Sequence, residues 1–171
     1  MKEILWLGRG GQGAFTAAKL FGAAYTAGNS AHYALSFPSF GPERRGAPVR
    51  AFTKLDEKPV LDRSQTEQAD FIVVLDDTLY TPALHSQLKA GGRIIVNSKA
   101  PISDTFSFDG DAVAAEFHLP TVNTVMLGIV SALSDYITGE QAVSAITDYM
   151  PQKIQARNTG AVKLAREAVQ K

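Results

Sequence analysis

Apolar residues fall along the chain in short solid blocks set off by glycine, proline and charge, with longer stretches of mixed small and apolar residues between them. Glu3–Leu7 is such a block, of the length and density of a buried strand, and Ala14–Ala27 follows with Lys19 as its only charge. That second stretch predicts a helix covered on more than one side, closed by Gly28-Asn29. His32–Phe37 predicts a second strand. Val49–Leu55 alternates apolar and polar residues, which predicts a half-exposed strand, and Asp56-Glu57-Lys58-Pro59 turns the chain after it. Phe71–Leu75 is the strongest buried strand, bounded by Asp70 and by Asp76-Asp77. A helix over about Thr81–Lys89, ended by Gly91-Gly92, leads to a strand at Arg93–Asn97.

The remainder reads as a short strand at Thr105–Phe108, a short helix at Asp111–Phe117, an apolar helix at Thr124–Tyr136 opened by Asn123 or Thr124, and a helix at Gly139–Met150. From Pro151 onward Lys153, Arg157, Lys163, Arg166 and Lys171 oppose only Glu167, so the last helix presents a basic face, either to solvent or to another subunit. Strand and helix alternate from residue 3 to residue 97. That order predicts an α/β fold of three layers, a mostly parallel sheet with helices on both faces and a Rossmann-like first strand–helix unit. At 171 residues the expectation is one domain spanning 1–171.

Charge alters this picture little. Seventeen basic residues balance seventeen acidic ones, so no nucleic-acid or anionic-membrane footprint is spread over the chain. No segment approaches the roughly 18–20 consecutive apolar residues that cross a bilayer, and the expected location is the cytoplasm. Cysteine changes more by its absence: with none, the polypeptide offers no disulfide, thiolate zinc site, cysteine nucleophile or cysteine-held iron–sulfur cluster.

Two loops carry the candidate chemistry. Gly8-x-Gly10-x-x-Gly13 sits where a strand passes into a helix, the context a dinucleotide-binding loop requires. The second strand, however, ends in Ser36-Phe37-Pro38, with no acid for an NAD ribose and no base before Arg44 for a 2′-phosphate, and no Gly-Lys-Ser/Thr follows the glycines. Three roles remain open: a tight turn that small residues allow, an anion seat made by the backbone N–H groups of Gly10, Gly11, Gln12 and Gly13 at a helix N-terminus, and dinucleotide binding. The second loop, Pro38–Pro48, holds Glu43, Arg44 and Arg45 between prolines and glycines, and arginine forks suit carboxylate or phosphate. His32, His85 and His118 have no metal-ligand spacing. Asp109-Gly110-Asp111 lacks the Gly-Asp-Gly order of a thiamine diphosphate site and reads as a turn, while Asp76-Asp77, at a strand end, reads as helix capping by Asp77.

Taken together, "GRGGQG" at Gly8–Gly13 and "FPSFGPERRGAPVRAF" at Phe37–Phe52 resemble the gamma subunit of 2-oxoacid:ferredoxin oxidoreductases, of the pyruvate or branched-chain 2-oxoacid type. "ADFIVVLDDTL", "GGRIIVNS" and "VNTVMLG" are similar to that family in type and order. The resemblance implies a complex that converts a 2-oxoacid and coenzyme A to acyl-CoA and carbon dioxide while reducing ferredoxin. Thiamine diphosphate with Mg2+ would lie between alpha and beta subunits, and iron–sulfur clusters in beta and delta. It implies that this chain is not the reactive centre, that it supplies no catalytic residue and no metal site, and that Gly10, Gly11, Gln12, Gly13, Glu43, Arg44 and Arg45 face coenzyme A or a partner subunit. A free-standing nicotinamide-nucleotide oxidoreductase and a free-standing CoA-binding module are the alternatives.

Overall fold

The computed structural model describes residues 1–39 and 46–170. Six strands form one mixed sheet: β1 (Lys2–Arg9), β2 (Tyr33–Pro38), β3 (Pro48–Asp56), β4 (Ala69–Val74), β5 (Leu88–Asn97) and β6 (Phe106–Phe108), in the spatial order β2-β3-β1-β4-β5-β6. β1, β4, β5 and β6 run parallel to one another, whereas β3 is antiparallel to both β1 and β2. Five α-helices follow the expected order: α1 (Ala14–Gly28), α2 (Gly110–Glu116), α3 (Asn123–Ser134), α4 (Gly139–Tyr149) and α5 (Gln152–Gln170).

The side-chain alternation of β1 explains the layering. Ile4 and Trp6 point to the face where α1, α3, α4 and α5 bring Phe21, Met126, Ile146 and Val162 into one core. Leu5 and Leu7 point the other way, into a smaller cluster with Phe52, Ile72, Ile94 and Leu84. A strand buried on both faces must be apolar at successive positions, and "ILWL" is. The second face is covered by 3-10 turns at Asp77–Leu79 and Pro82–Gln87 where α-helices were expected.

The expected helix over Thr81–Lys89 is this second 3-10 turn. Pro82 opens it, and the chain is already extended by Leu88. Gly91 and Gly92 therefore do not end a helix. They lie inside β5 beside an irregularity in its pairing with β4, Gly91 at φ +79°, and a Cβ on Gly92 would stand 2.9 Å from the Ala69 carbonyl. Glycine there permits a bulge and a close backbone approach.

β3 departs furthest from its pattern. Alternation predicts a half-exposed strand, yet β3 is an interior strand, with Thr53 and Lys54 both buried. Thr53 is satisfied by hydrogen bonds: its hydroxyl receives Trp6 Nε1 at 3.0 Å and donates to the Ala18 carbonyl at 3.0 Å. Lys54, 1% exposed, is neutralised by Asp62 at 2.5 Å and Glu3 at 3.6 Å. Lys54 and the Ser64 hydrogen bonds hold the Asp62 carboxyl well below the usual carboxylate range. A carboxylate depressed in the folded state stabilises it above the unfolded pKa of about 3.9, and that contribution is lost as pH falls below this value. Stability measured by urea unfolding should therefore decline from pH 5 to pH 3, and Asp62→Asn should flatten the decline; an unchanged slope in the variant would show that this pair does not control it.

Candidate functional site

The parallel strands β1, β4 and β5 end at one edge of the sheet, at Arg9, Val74 and Asn97. From β1 the chain leaves through α1 over one face toward β2 and β3. From β4 it leaves through the 3-10 turns over the other face toward β5. The crevice between the ends of β1 and β4 is thus a topological switch point, where ligands of open α/β sheets collect.

The glycine loop lies in that crevice. Gly11 and Gly13 have φ of +96° and +80°, conformations that glycine adopts without strain. Of the four expected amide donors, two are spent within the protein: Gly10 N–H donates to the Ala47 carbonyl at 2.8 Å and Gln12 N–H to the Arg9 carbonyl at 2.9 Å. Among the described residues the N–H groups of Gly11 and Gly13 have no acceptor, and both glycines line a cavity of about 310 Å³ with Thr16, His118, Asn123 and Arg157. Two cationic or ionisable nitrogen bases and no carboxylate are among its lining residues. Its chemistry suits an anion next to an apolar group.

Gln12 has a different environment. Its side chain accepts from Arg9 N–H at 2.7 Å and donates to Asp76 Oδ2 at 3.0 Å. With Asp76 it lines a second cavity of about 410 Å³ that also holds Asp77, Asn97, Asp111 and Lys99. Three carboxylates against one lysine make this cavity unfavourable for a phosphate. Gln12 is accordingly a tie within the loop as well as a wall of a cavity.

The segment carrying Glu43, Arg44 and Arg45 lies outside the described residues. Its base does not: Gly46 N–H donates to the Gly10 carbonyl at 3.3 Å, and Arg9 Nη1 donates to the Gly46 carbonyl at 3.1 Å. Two motifs more than thirty residues apart therefore meet at the end of β1.

Asp76 rather than Asp77 caps the turn at Asp77–Leu79, accepting from Thr78 N–H at 3.1 Å, while Asp77 receives the Ser98 hydroxyl at 3.0 Å. Burial pushes the Asp76 carboxyl up, but hydrogen bonds from Thr78 and Gln12 and the charge of Arg9 outweigh it and hold the group below its ordinary value. Asp109 caps α2 and Asp111 accepts from Asn97 at 3.3 Å, so Asp109-Gly110-Asp111 is the start of α2 and not the separate turn that the sequence predicts. Asn97, Ser98 and the Pro120–Val122 segment line the larger cavity, and local sequence reasoning did not single them out. The polar pair that ends "RIIVNS", directly after an apolar strand, was the available signal.

A dinucleotide site does not fit this sheet. Such a fold sets the second strand parallel and adjacent to the first, with its acid beside the ribose. Here antiparallel β3 separates β1 from β2, and β2 ends in Pro38. The strand–loop–helix unit at the start forms as expected; its neighbour is different.

The family model described as pyruvate ferredoxin/flavodoxin oxidoreductase matches residues 3–168. The chain belongs to this family. Pyruvate synthase subunit PorC of Methanothermobacter thermautotrophicus is 37% identical over 177 residues, covering 100% of this chain and 97% of its own length. The common subunit gamma of the pyruvate/ketoisovalerate oxidoreductases of Thermococcus litoralis is 38% identical over 185 residues, again covering 100% of this chain and 97% of its own. The crystal structure of pyruvate oxidoreductase subunit PORC from Thermotoga maritima has a TM-score of 0.82 with 29% identity, covering 97% of this chain and 95% of that one. The resemblance carried by the glycine and arginine motifs is borne out, and family membership extends to the α/β fold. Among the described residues, no helix is long and apolar enough to cross a membrane.

Proposed function

We propose that this chain is the gamma subunit of a cytoplasmic, thiamine-diphosphate-dependent 2-oxoacid:ferredoxin oxidoreductase acting on pyruvate, and that residues 1–171 form one domain of that complex. The observation that carries the reading is the match over residues 3–168 to a family whose similar members are named as separate subunits. Cysteine is absent, so no iron–sulfur cluster fits this chain, and Asp109 and Asp111 are engaged in capping and in a bond to Asn97, so thiamine diphosphate with Mg2+ does not fit there either. Those groups belong to companion alpha, beta and delta subunits, with ferredoxin receiving the electrons. No nucleic acid and no membrane enters the reading.

The part of this chain is to bind and orient. The N–H groups of Gly11 and Gly13, the start of α1, His118 and Arg157 suit the anionic portion of coenzyme A. Arg44 and Arg45 join this reading through the family resemblance and the affinity of guanidinium groups for phosphate. A tagged chain expressed in its native host should purify with thiamine- and cluster-bearing partners, and alone should turn over no oxoacid with coenzyme A and a dye. Isolation without partners, or turnover by the single chain, would overturn the reading. Arg44→Ala/Arg45→Ala should leave folding stability within about 0.5 kcal/mol of wild type, because the role read for these arginines is in binding and not in the core. In the complex it should raise the KM for coenzyme A by about tenfold or more, since charge-assisted bonds contribute about 1.5–3 kcal/mol. Wild-type assembly and kinetics in the double variant would leave the arginines as ordinary surface charges.

A further inference from the structure

The two edges of the sheet differ. β6 at one end is three residues long, whereas β2 at the other runs six residues, "YALSFP", without a charge. Short strands and charges are the usual means of keeping an edge unpaired; β2 has neither, and Pro38 marks only its end. Ser39 N–H donates to the Arg50 carbonyl at 2.8 Å, so by the two-residue repeat of an antiparallel ladder Phe37, Leu35 and Tyr33 also turn their backbone groups toward β3. Ala34, Ser36 and Pro38 turn theirs outward, where none of the described residues meets them. The side chains on one face are equally open. Phe37 packs on Phe52 in the smaller cluster, and alternation puts Leu35 and Tyr33 on that same face, yet neither belongs to either cluster and Tyr33 is 41% exposed.

We infer that a second copy of this chain pairs with β2, antiparallel and about a two-fold axis through Leu35. In that register Ala34 stands opposite the second copy's Ser36, each exchanging N–H and C=O with the other, and the symmetry repeats the pair, so every outward N–H of the strand is used. The next position along sets His32 opposite Pro38. His32 N–H is already donated to the Asn29 carbonyl at 2.9 Å and Pro38 has none, so no donor is left over and the pairing ends there. Neighbouring registers match less well. An axis through Ser36 sets Ala34 opposite Pro38, whose missing N–H strands the Ala34 carbonyl. An axis through Ala34 sets Ser36 opposite His32, whose N–H is spent. The Leu35 register also brings Leu35 against its own copy and Tyr33 against Phe37, as non-hydrogen-bonded pairs, the kind whose side chains approach most closely. The open apolar face of β2 is thereby covered by itself. A strand of a different subunit is the other possible occupant; the matching of donors and side chains about Leu35 favours the copy. The inference does not depend on the reaction proposed above.

Disulfide trapping tests the register. The chain has no cysteine, so Leu35→Cys gives it a single thiol, and the thiols of two paired copies would face each other across the axis. Opposed non-hydrogen-bonded residues lie about 4.5 Å apart at Cα, within the range a disulfide spans. With oxidised glutathione, the full chain should form a covalent dimer far faster with Leu35→Cys than with Ser103→Cys, an exposed position near the opposite edge. Adding Ala34→Pro removes an outward N–H while leaving the bonds to β3, at an edge where proline is tolerated, and should abolish the cross-link. In sedimentation velocity the wild-type chain should show a dimer that grows with concentration, and Leu35→Lys, which opposes two like charges, should be a monomer. Should Ala34→Pro fail to fold, Leu35→Lys carries the reading, since Leu35 lies outside both clusters. Cross-linking no faster at position 35 than at 103, a wild-type monomer at every concentration, or a dimer untouched by Leu35→Lys would overturn the inference. So would a disulfide, in the assembled complex, from Leu35→Cys to a different subunit in place of a second copy of this chain.

Discussion

Trp6→Ala should lower the unfolding free energy by about 3–5 kcal/mol, the range for deleting a buried aromatic side chain. Trp6 is fully buried at the middle of β1, opposite Ala51 of β3 and Val73 of β4. Its ring lies 6.0 Å from that of Phe21 on α1, and its indole N–H donates to Thr53 Oγ1 at 3.0 Å. Thr53 in turn donates to the Ala18 carbonyl, which also receives the Ser36 hydroxyl at 2.8 Å. One side chain therefore joins the central strand, the strand that separates β1 from β2, and the helix that follows the glycine loop. Trp6→Phe keeps most of the packing and gives up chiefly the N–H, so it should cost about 1 kcal/mol for the bond, plus a smaller packing loss. Thr53 keeps Ala18 as a partner in either variant, so no buried donor is stranded. Thermal unfolding reads the difference at about 2–4 °C per kcal/mol for a chain of this size. Equal midpoints for the two variants would locate the stability outside this junction.

The elements that were legible in the sequence are those whose cause is local. "ILWL" and "FIVVL" are strands because burial on both faces removes alternation, and the glycine loop was placed at the end of β1 by its own composition. What could not be read was set by partners remote in the chain. β3 looks half-exposed until Asp62 and Glu3 are known to neutralise Lys54 and Trp6 is known to satisfy Thr53. Sheet order has the same character: the first strand–helix unit looks Rossmann-like because nothing in residues 1–28 announces that β3 will insert beside β1. At the site, the sequence pointed to Asp76-Asp77 as a strand-end pair but exchanged their roles, since capping is a local inference whereas the bonds to Arg9 and Gln12 span more than sixty residues. Gln12 was read as a donor of its amide, yet its side chain does the connecting. Asn123 was read as a helix opener, and it does stand at the first position of α3. Its second role, against Gly13, reaches 110 residues back along the chain.

That contact makes Gly13→Ala the most informative substitution in the loop. Gly13 adopts φ +80° and ψ +28° immediately before α1, a conformation that costs an L-residue about 1–2 kcal/mol. A Cβ there would also stand 2.4 Å from Asn123 Nδ2 and 3.0 Å from its Cγ. Asn123 has little room to yield: it is buried, its Oδ1 accepts from Thr121 Oγ1 at 2.8 Å and from Thr124 N–H at 3.0 Å, and its Nδ2 donates to the Gly13 carbonyl at 3.3 Å. Displacing it sacrifices bonds with a net contribution of about 0.5–1.5 kcal/mol each. The expected loss is therefore about 2–4 kcal/mol, from the backbone strain and the displaced amide together. Gly11→Ala is the control. Gly11 also has positive φ, at +96°, but its Cβ would meet nothing within 4 Å among the described residues, so only the strain of about 1–2 kcal/mol should appear. The difference between the two variants in urea unfolding measures the Asn123 contact alone. Adding Asn123→Ala to Gly13→Ala should recover the steric part but not the conformational part. A double variant no more stable than Gly13→Ala would show that α3 does not press on the glycine loop, and would assign the whole requirement for glycine at this position to its backbone.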